Sequence, residues 1–112
     1  MIHARDVRAL ALALPETSEE DHHGKPSFRV RGHIFATLPD GEHLNLMIDP
    51  MDVDGVVRHA PEVCEPLLWG KEVRGVRVHM HVAEHELARS LLTAAWRHKA
   101  PRSVQQKRAT SS

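Results

Sequence analysis

The side chains of this sequence best suited to chemistry are its ten histidines. His79-Met80-His81 is the densest pattern, with two imidazoles on one face of an expected strand and Glu84 and His85 close behind. Zinc is held by such ligands. A set without cysteine, however, needs third and fourth members from distant segments, and the sequence names none. The favoured reading is therefore solvated side chains on a strand face and a first helical turn, with no metal expected. His22-His23 reads as a loop pair in an acid-rich stretch. Cys64 is the sole cysteine, and it lies in an apolar segment where a thiol is usually buried and inert. There is no Gly-x-Ser-x-Gly elbow, no Walker-type phosphate loop and no Gly-x-Gly-x-x-Gly. Glu19, Glu20 and Asp21 read as a solvated run rather than an acid/base pair. A non-enzymatic chain without a cofactor is the expectation.

Binding is the better-supported class. Contact with nucleic acid needs cations on one continuous surface to neutralise phosphates. Arg29, Arg31, Arg74 and Arg77 supply them if the first and last long strands expose the same face, and Lys99, Arg102, Lys107 and Arg108 add an arm. Double-stranded DNA is the partner this set suggests. Against it stand a formal net charge of zero and a scarcity of stacking aromatics, with no Tyr and two Phe. Phe35 points elsewhere. It is out of phase with Ile34, Ala36 and Leu38, which places it on the open face, where an exposed aromatic suggests a protein contact or a homodimer.

The elements that must position these residues are legible from periodicity. Val7, Leu10, Ala11 and Leu14 fall on one stripe and predict a helix over 3–14, stopped by Pro15. Residues 15–26 read as a polar loop. Phe28 and Val30 alternate with Arg29 and Arg31, Gly32 marks a reversal, and 33–38 returns as a second strand. Asp40-Gly41 is the strongest short hairpin signal and leads into a third strand at 42–48. Asp49 caps a short helix that has Pro50 at its first position and Pro61 at its close. Residues 63–69 carry Pro66, which restricts any strand there to an edge. Residues 72–82 alternate as a strand, and 83–99 form the best-patterned helix. The order is helix, three strands, helix, one or two strands, helix. One apolar face per strand implies an α+β fold in two layers, an antiparallel sheet with helices on one face. The other face carries Arg29, Arg31, Asn45, Met47, Arg77, His79 and His81.

Length and composition bound the rest. The 112 residues, 41% hydrophobic and 27% charged, suit one globular domain over residues 1–101, followed by a disordered basic tail at 102–112. Residues 1–70 hold six Lys/Arg against twelve acids and residues 71–112 hold nine against three, so charges of −6 and +6 sit at opposite ends. No secretory signal is evident at the start, and no run approaches the roughly 18 apolar residues of a membrane span. A cytoplasmic location without membrane contact is the expectation.

Several blocks together resemble the MmcQ/YjbR family, also described as DUF419. They are Leu14-Pro15-Glu16-Thr17, the run Lys25-Pro26-Ser27-Phe28-Arg29-Val30-Arg31-Gly32-His33-Ile34-Phe35-Ala36-Thr37-Leu38, Ile48-Asp49-Pro50, and the closing Glu86-Leu87, Leu91-Leu92, Ala95-Trp96 and Ala100-Pro101. The likeness spans about residues 3–101. It implies the order α-β-β-β-α-β-β-α, a shape related to secretion chaperones, and DNA binding through paired hairpin wings. It carries over no catalytic residue. The sequence departs from the family pattern at Val73-Arg74-Gly75-Val76, where an aromatic is expected.

Overall fold

Hairpin turns set the course of the chain before any packing does. In a computed structural model, which describes residues 1–105, strand β1 (Thr17–His22) turns at His23-Gly24 into β2 (Lys25–Val30), which turns at Arg31-Gly32 into β3 (His33–Thr37). All four turn residues have positive φ, between 50° and 83°. That is the signature of two-residue turns whose twist matches the strands they join. Glycine takes such angles freely, whereas Arg31 pays a steric penalty. Its guanidinium is anchored by a bidentate pair to Glu16, at 2.9 and 3.2 Å. A five-residue loop then leads to β4 (His43–Leu46). Asp40-Gly41 thus forms no two-residue turn: the Asp40 carboxylate instead accepts the Glu42 and His43 amides at 2.7 and 2.8 Å.

β1 corrects the expectation of a loop over 15–26, and four strands rather than three precede the second helix. It has no apolar residue, so periodicity alone could not reveal it. Pairing with β2 and an Arg8–Glu19 contact of 2.7 Å to helix α1 (Ala4–Leu12) hold it in place. Helix α2 (Pro50–His59) starts as expected, with the Met51 amide donating to Asp49 at 3.0 Å. β5 (Cys64–Trp69) and β6 (Glu72–His79) form the last hairpin, turning at Gly70-Lys71. A 3₁₀ turn (Met80–Val82) ends β6 before helix α3 (His85–Lys99).

The six strands make one antiparallel sheet in the order β1-β2-β3-β4-β6-β5. Its helix-facing side and all three helices share a single core that includes Phe28, Leu44, Leu46, Val76, Val78, Leu92 and Trp96. The Trp96 indole N–H donates to the Pro15 carbonyl at 3.0 Å, tying α3 to the end of α1. Phe35 is also in this core, fully buried. Phe28 pairs with Ala36 and Arg29 with Ile34, so Phe35 is the extra residue of a bulge and points inward with Ala36 instead of out to solvent. The apolar residue left on the outer face is Ile34. Order also extends beyond Pro101: residues 102–105 are helical, Val104 is buried, and the Gln105 side chain bonds the Arg97 and Ala100 carbonyls. Of the expected tail, Lys107 and Arg108 lie outside the described residues.

Gly75 is the tightest point. A Cβ there would lie 1.9 Å from the Leu46 carbonyl oxygen, because β6 presses directly on the end of β4. Gly55, inside α2, has nothing within 4 Å. Gly75→Ala is expected to lose about 1–3 kcal/mol or more through overpacking, whereas Gly55→Ala should gain about 0.5–1 kcal/mol from helix propensity. Thermal melts followed by circular dichroism separate them, and an unchanged midpoint for Gly75→Ala contradicts the close approach.

Candidate functional site

The sheet face away from the helices is built in rows. Pairing aligns Glu20, Ser27, Thr37, Asn45, Arg77 and Glu65 across all six strands. The Ser27 hydroxyl is buried in this row, donating to the Glu20 carbonyl at 2.8 Å and accepting from Arg29 Nε at 3.2 Å. Arg29 thus lies along the face, reaching the Asp21 carbonyl at 3.4 Å. Arg77 donates to Asn45 Oδ1 at 3.3 Å and sits 3.9 Å from Glu65.

The four expected phosphate-contacting arginines therefore do not form one free cationic surface. Arg29 and Arg77 share the open face. Arg31 is at a hairpin tip, locked to Glu16, and Arg74 is on the β5–β6 hairpin, 3.3 Å from Glu72. Among the described residues, Arg29 alone of the four makes no ion pair.

The histidines separate in the same way. β6 ends at His79, so His81 belongs to the 3₁₀ turn and its ring lies 6.4 Å from that of His79. The nearer neighbour is His43, across the β4–β6 seam, with ring centroids 5.0 Å apart. Asp40 contacts His43 Nδ1 at 2.9 Å, and Glu65 lies 3.6 Å from His79 Nε2. Among the described residues, no group of three His, Cys, Asp or Glu side chains is placed to hold a metal ion. Cys64 faces the core, where burial raises its thiol pKa and leaves it a poor nucleophile at neutral pH.

A feature the sequence reading missed lies at the other end of this face. A cleft of about 350 Å³ is bounded by Ile34, Thr37, Asn45 and Met47 of the sheet, by Leu67, Trp69, Glu72, Val73 and Arg74 of the β5–β6 hairpin, and by His98 and Lys99 at the end of α3, with His22 and Pro50 at its margin. Leu67 is 4% exposed yet stands outside the main core, so the sheet carries a second, smaller apolar patch on its outer side. Trp69 is 62% exposed, with the Arg74 guanidinium 4.7 Å from its ring centre. The sequence held one signal for it: in 67–69 three large apolar side chains run consecutively along an edge strand, which can bury only part of them in the core. With Phe35 buried, the exposed aromatic surface belongs to Trp69 instead, with Leu68 beside it as exposed aliphatic surface.

No helix among the described residues is long and apolar enough to cross a membrane. A family model named YjbR matches residues 12–98 of this chain. The fold is also similar to the crystal structure of a Deinococcus radiodurans protein with a DUF419 domain, at a TM-score of 0.71 and 18% identity, covering 92% of this chain and 85% of that one. No curated protein matches the sequence.

The face is also acid-sensitive at one defined point. Hydrogen bonds from the His43 side chain, and then from the Glu42 and His43 amides, hold the Asp40 carboxyl below its ordinary pKa. A depressed folded-state value means that the stabilisation is present above the unfolded pKa and is lost as the pH falls through the folded one. Urea titrations should therefore show Asp40→Asn less stable than the parent at neutral pH, with the gap closing below about pH 4. A constant gap at all pH values contradicts the assignment.

Proposed function

From the premise that this chain belongs to the YjbR family, we propose that it is a non-enzymatic binding module that takes up nucleic acid, as a single strand, at the outer sheet face. The observation that carries this reading is Trp69, exposed at the mouth of the cleft and backed by Arg74. An indole beside a guanidinium is a stacking platform that any unpaired base can use. Arg29 and Lys99, which make no ion pair among the described residues, are available for phosphates.

Duplex DNA fits less well. Binding to stacked duplex rests on phosphate neutralisation, and Arg31, Arg74 and Arg77 already stand beside Glu16, Glu72 and Glu65. Single-stranded binding draws on base stacking as well, which these acids do not oppose.

The test is fluorescence anisotropy of a labelled oligothymidine and of a duplex of equal length, across a salt series. Low-salt binding of the single strand, weaker binding of the duplex, and a loss of about 1–3 kcal/mol in Trp69→Ala are expected. Absence of binding by both at low salt overturns the proposal. Duplex binding that is tighter than single-strand binding and indifferent to Trp69→Ala returns the function to the arginines. Intrinsic fluorescence gives a second readout, since the other tryptophan, Trp96, is fully buried.

A further inference from the structure

We infer that the cleft beneath Trp69 is a subsite for one unstacked nucleobase, held with its phosphate at the rim; this rests on the single-strand reading above. The cavity, at about 350 Å³, falls within the range of small-ligand pockets. Its floor is apolar, formed by Ile34, Met47 and Leu67 on the side of the sheet that the helices do not cover.

Polar groups in the cleft are few and directed. Asn45 Oδ1 accepts from Arg77, which assigns the amide nitrogen, a donor, to the remaining side. Thr37, its cross-strand neighbour, adds a hydroxyl. Base carbonyls and ring nitrogens are acceptors that match such donors. At the rim, Lys99 and Arg74 stand against a single acid, Glu72, among the described lining residues. An apolar slot, donors to one side and cations at the mouth together fit a planar base with an anionic tail. A purely apolar ligand leaves the donors unsatisfied, and inorganic phosphate leaves the floor unused.

Two comparisons test the subsite separately from strand binding. The first sets a labelled oligothymidine against a strand of equal length built of abasic sugar-phosphate. The second sets the parent protein against Ile34→Trp, which fills the floor and leaves Trp69 and Arg74 in place. Expected are binding of the abasic strand weaker by about tenfold or more, and a comparable loss for oligothymidine in Ile34→Trp with its thermal midpoint retained. If Ile34→Trp fails to fold, Met47→Phe fills the same floor from the next strand and is read in the same way. Oligothymidine that binds the parent but is indifferent to the filled floor places the base on Trp69 outside the cleft and overturns the subsite alone. Equal binding of both strands overturns it as well. Absence of binding by oligothymidine overturns the subsite together with the reading it rests on.

Discussion

The structure depends on one seam. β1 to β4 form a meander from consecutive chain, whereas β5 and β6 arrive as a separate hairpin after α2, and only the β4–β6 pairing joins the two pieces. Leu44 opposite Val78 and Leu46 opposite Val76 put four fully buried aliphatic side chains on the helix side of that joint. The next position along is Gly75, where any side chain collides with the Leu46 carbonyl. Because the side-chain period of a strand is two, this register fixes every outward position as well. It sets Asn45 beside Arg77 and His43 beside His79, and it carries Leu67 and Trp69 to the cleft. A one-residue slip would turn Val76 and Val78 outward and dismantle the core and the cleft together.

The edges of the sheet explain much of the charge. β1 presents Ser18, Glu20 and Asp21 to solvent along an open edge, and acids there discourage pairing with a second chain. β5 uses proline. His79 N–H donates to the Val63 carbonyl at 2.8 Å, so odd-numbered groups of the early β5 backbone face β6 and Pro66 nitrogen faces the free edge. Several arginines have structural duties of the same kind. Arg8 fastens the acidic edge strand to α1, and Arg31 offsets the strain of its own positive φ by gripping Glu16. Counting cations in the sequence therefore overstates what is left for a ligand.

What the sequence made legible follows from how much of each element faces the core. α1, α2 and α3 each bury a stripe, and β2, β4 and β6 alternate between a covered and an open face, so periodicity found all of them. β1 buries nothing apolar; only its partner makes it a strand. Phe35 was misplaced because a bulge advances the phase by one residue, and a bulge is a property of two strands whose pairing no single-chain period reports. Asp40-Gly41 misled for a related reason: the aspartate uses its side chain to bond the next amides and so builds a longer loop than the dipeptide suggests. The cleft needed three separate segments to meet, and its lining is dispersed from residue 22 to residue 99.

Burial and charge together decide where a ligand gains most on the outer face. Around Arg77, an incoming phosphate must compete with Glu65 and Asn45 for a guanidinium that is already engaged, and exposed pairs exchanged in this way return little free energy. Around Trp69 the balance differs. Indole surface there is only partly covered, and covering it is favourable at any ionic strength, by about 25 cal/mol per Å² of apolar area. Lys99 can add charge without first breaking an ion pair among the described residues. The arginine-bearing strands, conspicuous in the sequence, thus act first as the frame of the sheet, and the exposed indole of Trp69 is the apolar surface that the β5–β6 hairpin leaves uncovered beside the cleft.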